Sequence, residues 1–208
     1  MSSLKVVVVP VGLVALVEAK HMNRRHALWC LCGIGLAGFT SGAIAKTTLS
    51  SIPLKQHEIA MRAAITMAAQ NPSYPFGAVI ANANNGVIVA RGFNKTFENP
   101  LLHGEISTIN NYVAQYGNKN WTDLILYTTG EPCPMCMSAL IWTGIGGVVY
   151  GSSASAIKKS GIDIFSFSAK EINQGSNFSN TQLMGGILES ECDVLFKNRI
   201  RTQAELSK

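Results

Sequence analysis

The sequence of 208 residues lacks several features that mark other classes of protein. It contains no internal repeat and no low-complexity tract, so nothing in it indicates a second folded domain. An apolar stretch over residues 4–17 is shorter than the roughly 20 residues that a membrane-spanning helix needs. Histidine is scarce, with four residues, and there are five cysteines. These small numbers limit the metal sites that the chain can build.

Basic charge is also scarce once the amino-terminal residues are set aside. The formal charge of +5 falls to +2 for residues 46–208, because four basic residues and one acidic residue precede them. Proteins that read folded RNA normally present a basic patch to the phosphates. The nearest candidates are Lys197, Arg199 and Arg201, whose spacing would spread them around a helix, and we interpret them as solvated helix charges. The charge therefore favours a small substrate over RNA.

The first 45 residues are predicted to be a leader. Residues 22–26 form a basic start with two adjacent arginines, residues 27–39 are apolar, and the small residues Ala43 and Ala45 precede Lys46. This pattern predicts a signal peptide of the twin-arginine type over residues 22–45, with translation starting at Met22. We expect a periplasmic or exported protein that has no stable membrane insertion once the leader is removed. An uncleaved anchor, or a chance apolar leader on a cytoplasmic protein, is the alternative.

Residues 46–208 are predicted to form one α/β domain. Strand and helix patterns alternate, which favours a three-layer α/β/α arrangement around a central mixed sheet. In the first helix we expect Ile59, Ala63 and Met67 to face the core. Asn-Asn-Gly at 84–86 indicates a hairpin turn. The predicted strands cover 78–83, 87–93, 124–128, 148–151 and a short segment near Leu183, and the predicted helices cover 55–70, 103–116, 133–143 and a segment from Glu189.

Four residues carry the strongest chemical signal. His103 and Glu105 lie in Leu-His-Gly-Glu-Ile, and Cys133 and Cys136 lie in Glu-Pro-Cys-Pro-Met-Cys. One imidazole and two thiolates supply three ligands to tetrahedral Zn²⁺ and leave its fourth position open to water, as in catalytic sites. We expect the metal at two facing helix N-termini, where the helix dipole favours thiolate over thiol.

These residue types suit the hydrolytic removal of an amine from an aromatic ring. Zinc lowers the pKa of water toward neutrality, so hydroxide becomes available to attack the ring carbon that bears the amine. One carboxyl group must take protons from water and deliver them twice, once to the ring and once to the departing amine, and Glu105 is the candidate for this shuttle. His-x-Glu followed by Pro-Cys-x-x-Cys is a known signature of zinc-dependent base deaminases.

Other interpretations of the cysteine pair remain open. A Cys-x-x-Cys motif alone also occurs in redox proteins and in structural zinc sites. A structural site would need a fourth ligand, for which His57 and Cys192 are the candidates outside the leader. A non-catalytic, zinc-stabilised binding protein is therefore the alternative from a different class. Glu105 distinguishes the two, because a structural site has no use for an unliganded carboxylate beside the metal.

Three groups of segments resemble deaminases of the cytidine and deoxycytidylate deaminase-like superfamily. Residues 102–108 and 126–129 are similar to fungal cytosine deaminase, and residues 75–80 and 131–136 to bacterial guanine deaminase. Residues 185–192 resemble bacterial enzymes that deaminate adenosine in transfer RNA. The resemblance implies a cytidine-deaminase-like fold, Zn²⁺ as the cofactor and a homodimer.

The resemblance also implies substrate contacts. Asn94 follows the second strand, where the superfamily uses an asparagine to hold the base or ribose, although local chemistry alone favours a turn asparagine. Asp163 falls near an acidic residue that guanine deaminases place against the purine, in an alignment that needs a gap. The chain has no clear counterpart of the aspartate by which fungal cytosine deaminase binds the cytosine amine. Trp142 is a candidate for the pocket wall or a subunit interface.

Together these features predict a hydrolase acting on C–N bonds of cyclic amidines. The expected reaction is zinc-dependent deamination of a free nucleobase or nucleoside, of the guanine or cytosine type, with release of ammonia. The alternative enzyme is a tRNA-specific adenosine deaminase, which would have RNA as its partner.

Overall fold

The computed structural model describes residues 47–178 and 181–207. All of them belong to one compact unit. The predicted leader, its signal peptide and the expected cleavage site before Lys46 lie outside the described residues. Among the helices that are described, none has the length and apolar character needed to cross a bilayer.

A mixed sheet of five strands forms the centre of the described domain. Its spatial order is β2-β1-β3-β4-β5. β1 is antiparallel to β2 and to β3, whereas β3, β4 and β5 run parallel. The predicted mixed sheet is confirmed. The strands are β1 (Gly77–Asn82), β2 (Ile88–Phe93), β3 (Leu124–Gly130), β4 (Gly147–Ser152) and β5 (Gln182–Met184).

Helices cover both faces of the sheet, which confirms the predicted three-layer arrangement. α1 and α6 pack against one face, and α2, α3 and α5 against the other. Short 3-10 turns occur at Leu49–Ser51 and Trp121–Asp123. The helices are α1 (Leu54–Ala68), α2 (Gly104–Tyr116), α3 (Pro134–Thr143), α4 (Ala154–Lys159), α5 (Ala169–Gln174), α6 (Glu189–Lys197) and α7 (Gln203–Leu206).

The central strand β3 contributes to both layers of the core. Leu126 packs in the cluster beneath α2 and α3, whereas Ile125 and Tyr127 pack in the cluster beneath α1. This division follows from the alternation of side chains along a strand. Every residue of β3 is buried, as expected for a strand that helices cover on both faces.

The predicted buried face of α1 is correct only in part, since Ala63 and Met67 are partly buried against the core. Ile59 is 58% exposed, and the helix instead buries a neighbouring stripe that includes Ala60, Met61 and Ala64. The close approach of α1 to β1 explains why these residues are buried. A Cβ added to Gly77 would lie 2.2 Å from the carbonyl oxygen of Ala64. Small side chains on the helix allow this contact, and a branched residue such as isoleucine would prevent it.

The sequence patterns did not predict three of the helices, because these helices are short. α4 and α5 have six residues each and α7 has four, too few to show an apolar period. Their first turns are capped by side chains; α5 and α7 have full capping boxes. The predicted hairpin turn is present between β1 and β2, with Gly86 at a φ of 70°, which favours glycine.

The interpretation of the carboxyl-terminal charges is wrong for Arg199. α6 ends at Lys197, and the Arg199 side chain is only 2% exposed. Its guanidinium pairs with Glu205 at 2.9 Å. The capping box of α7 orients that glutamate toward the domain, so a local turn buries a charge that helical spacing alone placed in solvent. Lys197 and Arg201 are exposed, as expected.

Candidate active site

Two helices begin beside each other at one end of the sheet. His103 is the N-cap of α2, and Cys133 is the N-cap of α3, with Pro134 in the first turn. Proline suits this position because the first amide of a helix has no intrahelical partner. Gly104 lies against β1, where an added Cβ would meet the carbonyl oxygen of Phe76 at 2.5 Å. The glycine between His103 and Glu105 therefore lets α2 begin directly over the sheet.

The three predicted metal ligands lie together. The ligand atoms of His103, Cys133 and Cys136 all lie within 4.8 Å of one another. Cys133 Sγ and His103 Nδ1 are 3.6 Å apart. On a tetrahedral zinc, with bonds of about 2.3 Å to sulfur and about 2.0 Å to nitrogen, two such atoms stand about 3.5 Å apart. The donor set and its spacing therefore fit zinc.

Neither candidate for a fourth protein ligand reaches this group. His57 is buried on the other side of the sheet, where its ring nitrogens lie 3.0 Å from the Tyr127 hydroxyl and 2.9 Å from the Leu49 carbonyl oxygen. Cys192 lies on α6 and is buried in the same core cluster as Tyr127. Within residues 47–178 and 181–207, the group of possible metal ligands consists of one histidine and two cysteines. A closed structural site is therefore not formed by these residues.

The neighbouring groups favour charge on the ligands. A hydrogen bond from Cys136 lowers the pKa of Cys133 to about 4, with His103 acting in the same direction. The same sulfur contact, together with burial, raises the pKa of Cys136. Contact with Cys133 raises the pKa of His103. Cys133 is thus held as a thiolate, the form that binds metal.

Glu105 lies next to the ligands and is also held by the central strand. It is the second residue of α2 and is 2% exposed. The hydroxyl of Thr128 donates a hydrogen bond of 3.3 Å to its Oε1. Burial raises the pKa of the carboxyl group, and the charge of Cys133 adds to this effect. A carboxyl group with a raised pKa accepts and returns protons more readily near neutral pH.

The site opens into a cavity of about 200 Å³. This is smaller than the roughly 300–1,000 Å³ typical of sites for drug-sized ligands, so a single small ring compound suits it. The walls include His103, Glu105 and Cys133. The other lining residues are Tyr74, Phe76, Asn94, Glu131, Pro132, Pro134, Ala154, Ile157, Ile162, Asp163, Ile164, Phe165 and Phe167.

Asn94 lines the cavity and also forms the local turn that its sequence position favours. The residue is 3% exposed. Its Oδ1 accepts hydrogen bonds from the amide of Thr96 at 3.2 Å, from the Thr96 hydroxyl at 2.8 Å and from Asn71 Nδ2 at 3.2 Å. Its own Nδ2 has no hydrogen-bond partner in the part of the chain that the structure describes. Asn94 therefore has a donor, and not a free acceptor, to offer to a ligand.

Asp163 lines the same cavity, whereas Trp142 does not. Asp163 lies on the loop between α4 and α5 and is exposed. Trp142, at the end of α3, is 77% exposed and packs against Phe178 with ring centroids 4.6 Å apart. Trp142 is therefore a surface residue of the described domain.

Glu131 is a cavity residue that the sequence analysis missed. Its two carboxylate oxygens accept hydrogen bonds from the amides of Ala154, at 2.8 Å, and Ala169, at 2.9 Å. These residues begin α4 and α5, the two helices that flank the loop of Asp163. Its position directly before the Pro-Cys-x-x-Cys motif was the feature of the sequence that could have indicated a place in the site. Glu131 thus fixes both ends of the segment that forms the outer wall of the cavity.

Comparison with known proteins relates the sequence to deaminases. A family model described as the cytidine and deoxycytidylate deaminase zinc-binding region matches residues 54–152. A guanine deaminase of Bacillus subtilis (strain 168) is 36% identical over 124 residues, which cover 57% of this chain and 78% of that protein. A tRNA-specific adenosine deaminase of Rickettsia bellii is 31% identical over 146 residues, which cover 69% of this chain and 92% of that protein.

Solved structures share the fold. A guanine deaminase from Nitrosomonas europaea superposes with a TM-score of 0.59 at 20% identity, over 86% of this chain and 97% of that one. A structure from work on tRNA:A34 deaminases superposes with a TM-score of 0.55 at 25% identity, over 66% of this chain and 98% of that one. These likenesses confirm the predicted fold class. Relatives of both kinds match, so the choice of substrate depends on the chemistry of the cavity.

Proposed function

This chain belongs to the cytidine and deoxycytidylate deaminase zinc-binding family, and on that premise we propose that it deaminates a free nucleobase or nucleoside, with guanine as the preferred base. Members of this family are zinc-dependent hydrolases of C–N bonds, and Zn²⁺ is the cofactor of this chain. The 36% identity to a guanine deaminase supports the choice of base.

One observation carries the proposal: Asp163 and Asn94 line the cavity that also contains Glu105 and the metal ligands. A carboxylate only accepts hydrogen bonds, so Asp163 suits a base with a ring N–H beside the carbon that bears the amine. Guanine has this N–H at N1, whereas the corresponding ring nitrogens of adenine and cytosine carry no hydrogen. The free Nδ2 of Asn94 suits an acceptor atom elsewhere on the ring.

The mechanism assigns a role to each residue of the site. His103, Cys133 and Cys136 would hold the zinc, which when bound would supply activated water for attack on the carbon that bears the amine. Glu105 takes one proton from the water and delivers it to a ring nitrogen, and it then takes the second proton from the oxygen added to the ring and delivers it to the departing amine. Thr128 fixes one oxygen of this carboxyl group and leaves the other to carry the proton. Phe76 and the apolar side chains of the wall exclude bulk water from the reacting atoms.

The test is a screen for ammonia release by the purified, zinc-loaded protein. We expect release from guanine and a rate that does not depend on salt. Adenine, cytosine, the corresponding nucleosides and a transfer RNA anticodon stem-loop are tested in parallel. Release from cytosine but not from guanine would contradict the assignment to Asp163.

A tRNA-specific adenosine deaminase is the second candidate, because the match to the Rickettsia protein covers 92% of that protein. Binding to an RNA stem through phosphates weakens steeply as salt rises. The formal charge of +2 for residues 46–208 offers little attraction for a polyanion. Inosine formation in the stem-loop that falls with added salt, without release from any free base, would establish this second function.

A non-catalytic zinc protein is a weaker explanation of the same site. Such a protein has no use for Glu105, which is buried at a cost and has a raised pKa beside the ligands. Zinc-loaded protein that releases no ammonia from any base or RNA in the panel would favour this alternative.

We also propose that the protein is a homodimer. The exposed pair Trp142 and Phe178 is an apolar surface of the kind that subunit interfaces cover. Light scattering after gel filtration would give the mass of two chains, and Trp142→Ser would shift the mass toward one chain if this surface is in the interface.

Export remains a proposal that depends on residues 22–45. If this segment is a working signal, the native protein begins at about residue 46 and is found outside the cytoplasm. Amino-terminal sequencing of fractionated cells tests it, with Arg24→Lys and Arg25→Lys together as the variant that blocks twin-arginine export. An intact leader on a cytoplasmic protein would contradict export.

A further inference from the structure

The segment after α6 returns to the rim of the cavity. The amide of Ile200 donates a hydrogen bond of 3.0 Å to the carbonyl oxygen of Pro72. Arg199, the residue before it, is buried and lies outside the metal group. A buried arginine that takes no part in the chemistry needs a separate explanation.

The guanidinium of Arg199 makes a two-point ion pair. Nη1 donates to Oε2 of Glu205 at 2.9 Å, and Nη2 donates to Oε1 at 2.9 Å. The amide of Thr202 donates to Oε2 at 2.9 Å and thereby fixes the carboxylate. The planar guanidinium contacts both carboxylate oxygens, so it fixes the orientation of the two groups as well as their distance. The single ammonium group of a lysine could not fix this orientation.

The same pair joins two segments that are far apart in the sequence. Arg199 Nη2 donates to the carbonyl oxygen of Gly161 at 3.2 Å, and Nη1 donates to that of Ser73 at 3.4 Å. The guanidinium also lies 5.9 Å from the ring centroid of Tyr74. The Tyr74 hydroxyl is 3.5 Å from Oε1 of Glu205. One ion pair thus holds residues 73–74 and residue 161.

Both segments form walls of the cavity. Tyr74 lines one part, and Ile162 and Asp163, which directly follow Gly161, line another. From Tyr74 the contacts continue to Asn94, because Asn71 accepts a hydrogen bond from the Tyr74 amide at 3.1 Å and donates to the Asn94 carbonyl oxygen at 3.0 Å. The ion pair is therefore connected to both residues assigned to base binding.

A purely stabilising role explains the pair less well. Buried ion pairs often stabilise a fold no better than apolar residues of the same volume, because both charges lose hydration. Arg199 Nε adds to this cost, since it is buried and has no hydrogen-bond partner among the described residues. The pair does fix the position of residues 73–74 relative to residue 161.

We propose that Arg199 and Glu205 are positioning residues, whose ion pair sets the separation of the Tyr74 and Asp163 walls and thereby the affinity and selectivity for the base. This inference rests on the proposed function. Neither residue contacts the reacting atoms. Breaking the pair therefore weakens substrate binding and leaves the proton transfers by Glu105 unchanged.

Steady-state kinetics of the full, zinc-loaded chain provides the test. Arg199→Lys keeps the positive charge but cannot make the two-point contact with the carboxylate. Glu205→Gln keeps the shape of the side chain but loses its charge. We expect either variant to raise the KM for guanine on the order of tenfold or more, with kcat and zinc content close to wild type. The matched controls are Arg62→Ala and Glu191→Gln, which remove an ion pair of 2.6 Å that is about half exposed. They leave KM unchanged.

Hydrogen exchange of the same variants gives a second measurement that needs no substrate. Amides in residues 71–76 and 161–165 should exchange faster in both Arg199 and Glu205 variants, and not in the controls. If Arg199→Lys does not fold, Glu205→Gln alone decides. Unchanged KM together with unchanged exchange, or a fall in kcat that follows only the loss of folded protein, would overturn the proposal. Faster exchange in a protein that is inactive on every base would leave the positioning role intact and contradict the proposed function.

Discussion

The hydroxyl of Thr128 donates a hydrogen bond of 3.3 Å to Oε1 of Glu105 and so connects the central strand to the proton-transfer group. Thr128 is fully buried on β3, between β1 and β4. Glu105 lies on the first turn of α2, so its backbone is fixed by the helix. Strand and helix together hold one carboxyl oxygen in place, which is the preorganisation that an acid and base at a reacting centre requires.

The first prediction concerns this carboxyl group. Glu105→Gln keeps the size of the side chain but cannot carry a proton, so the variant should keep zinc and fold while kcat falls on the order of 10²-fold or more. Thr128→Val removes only the hydrogen bond and should cause a smaller loss. Ammonia release and zinc content are measured on the same samples. A zinc-loaded Glu105→Gln protein with nearly normal release would show that another group transfers the proton.

The second prediction concerns the metal. Purified protein should contain about one zinc per chain, and Cys133→Ser or Cys136→Ser should lose it, because a three-ligand site cannot spare a thiolate. Cys192→Ala is the control, since that cysteine is buried in another part of the core. Elemental analysis gives the occupancy. Full occupancy in the Cys133→Ser variant, or active protein without zinc, would contradict the proposed ligand set.

Local sequence patterns predicted the strands, the longer helices and the grouping of His103, Cys133 and Cys136 because these signals are local. His103 and Glu105 are two residues apart, Cys133 and Cys136 are three apart, and a helix begins directly after the first residue of each pair. Strand alternation and the Asn-Asn-Gly turn are also read over a few residues. The layers then follow from which helices connect parallel strands.

The outer wall of the cavity could not be predicted because its contacts join distant segments. Glu131 caps two helices 23 and 38 residues further along the chain. Arg199 contacts Gly161 and Ser73, which are 38 and 126 residues away. No short pattern records such pairings. The exposed position of Ile59 was missed for a similar reason, since the close approach of α1 depends on Gly77 in a different element.

The third prediction concerns the base. Asp163→Asn gives the side chain a donor as well as an acceptor, so it should raise the KM for guanine and reduce the preference over adenine. Asn94→Ala removes a buried donor and should lower kcat/KM by the equivalent of roughly 1–3 kcal/mol. Asp123→Asn is the control, because it removes an exposed carboxylate outside the cavity. Equal kcat/KM for guanine in wild type and Asp163→Asn would remove Asp163 from the site.

The last prediction concerns stability in acid. The hydrogen bonds from Arg199 and from the amide of Thr202 lower the pKa of Glu205 to about 2. In the unfolded chain a glutamate titrates at about 4.3. Because the folded pKa is the lower one, the carboxylate stabilises the native state fully above the unfolded value, and this contribution is lost as the pH falls from about 4 toward 2.

Glu205→Gln should therefore unfold at lower urea concentration than wild type at pH 7 and at pH 5. The difference between the two midpoints should shrink below about pH 4, because the wild-type carboxylate then takes up a proton on unfolding. Glu191→Gln is the control, since its ion pair with Arg62 is exposed and surface pairs contribute little. Urea unfolding followed by circular dichroism at each pH measures the midpoints. Equal midpoints for wild type and Glu205→Gln at pH 7 would show that the pair does not stabilise the fold, and a difference that grows toward acid pH would contradict the direction of the pKa shift.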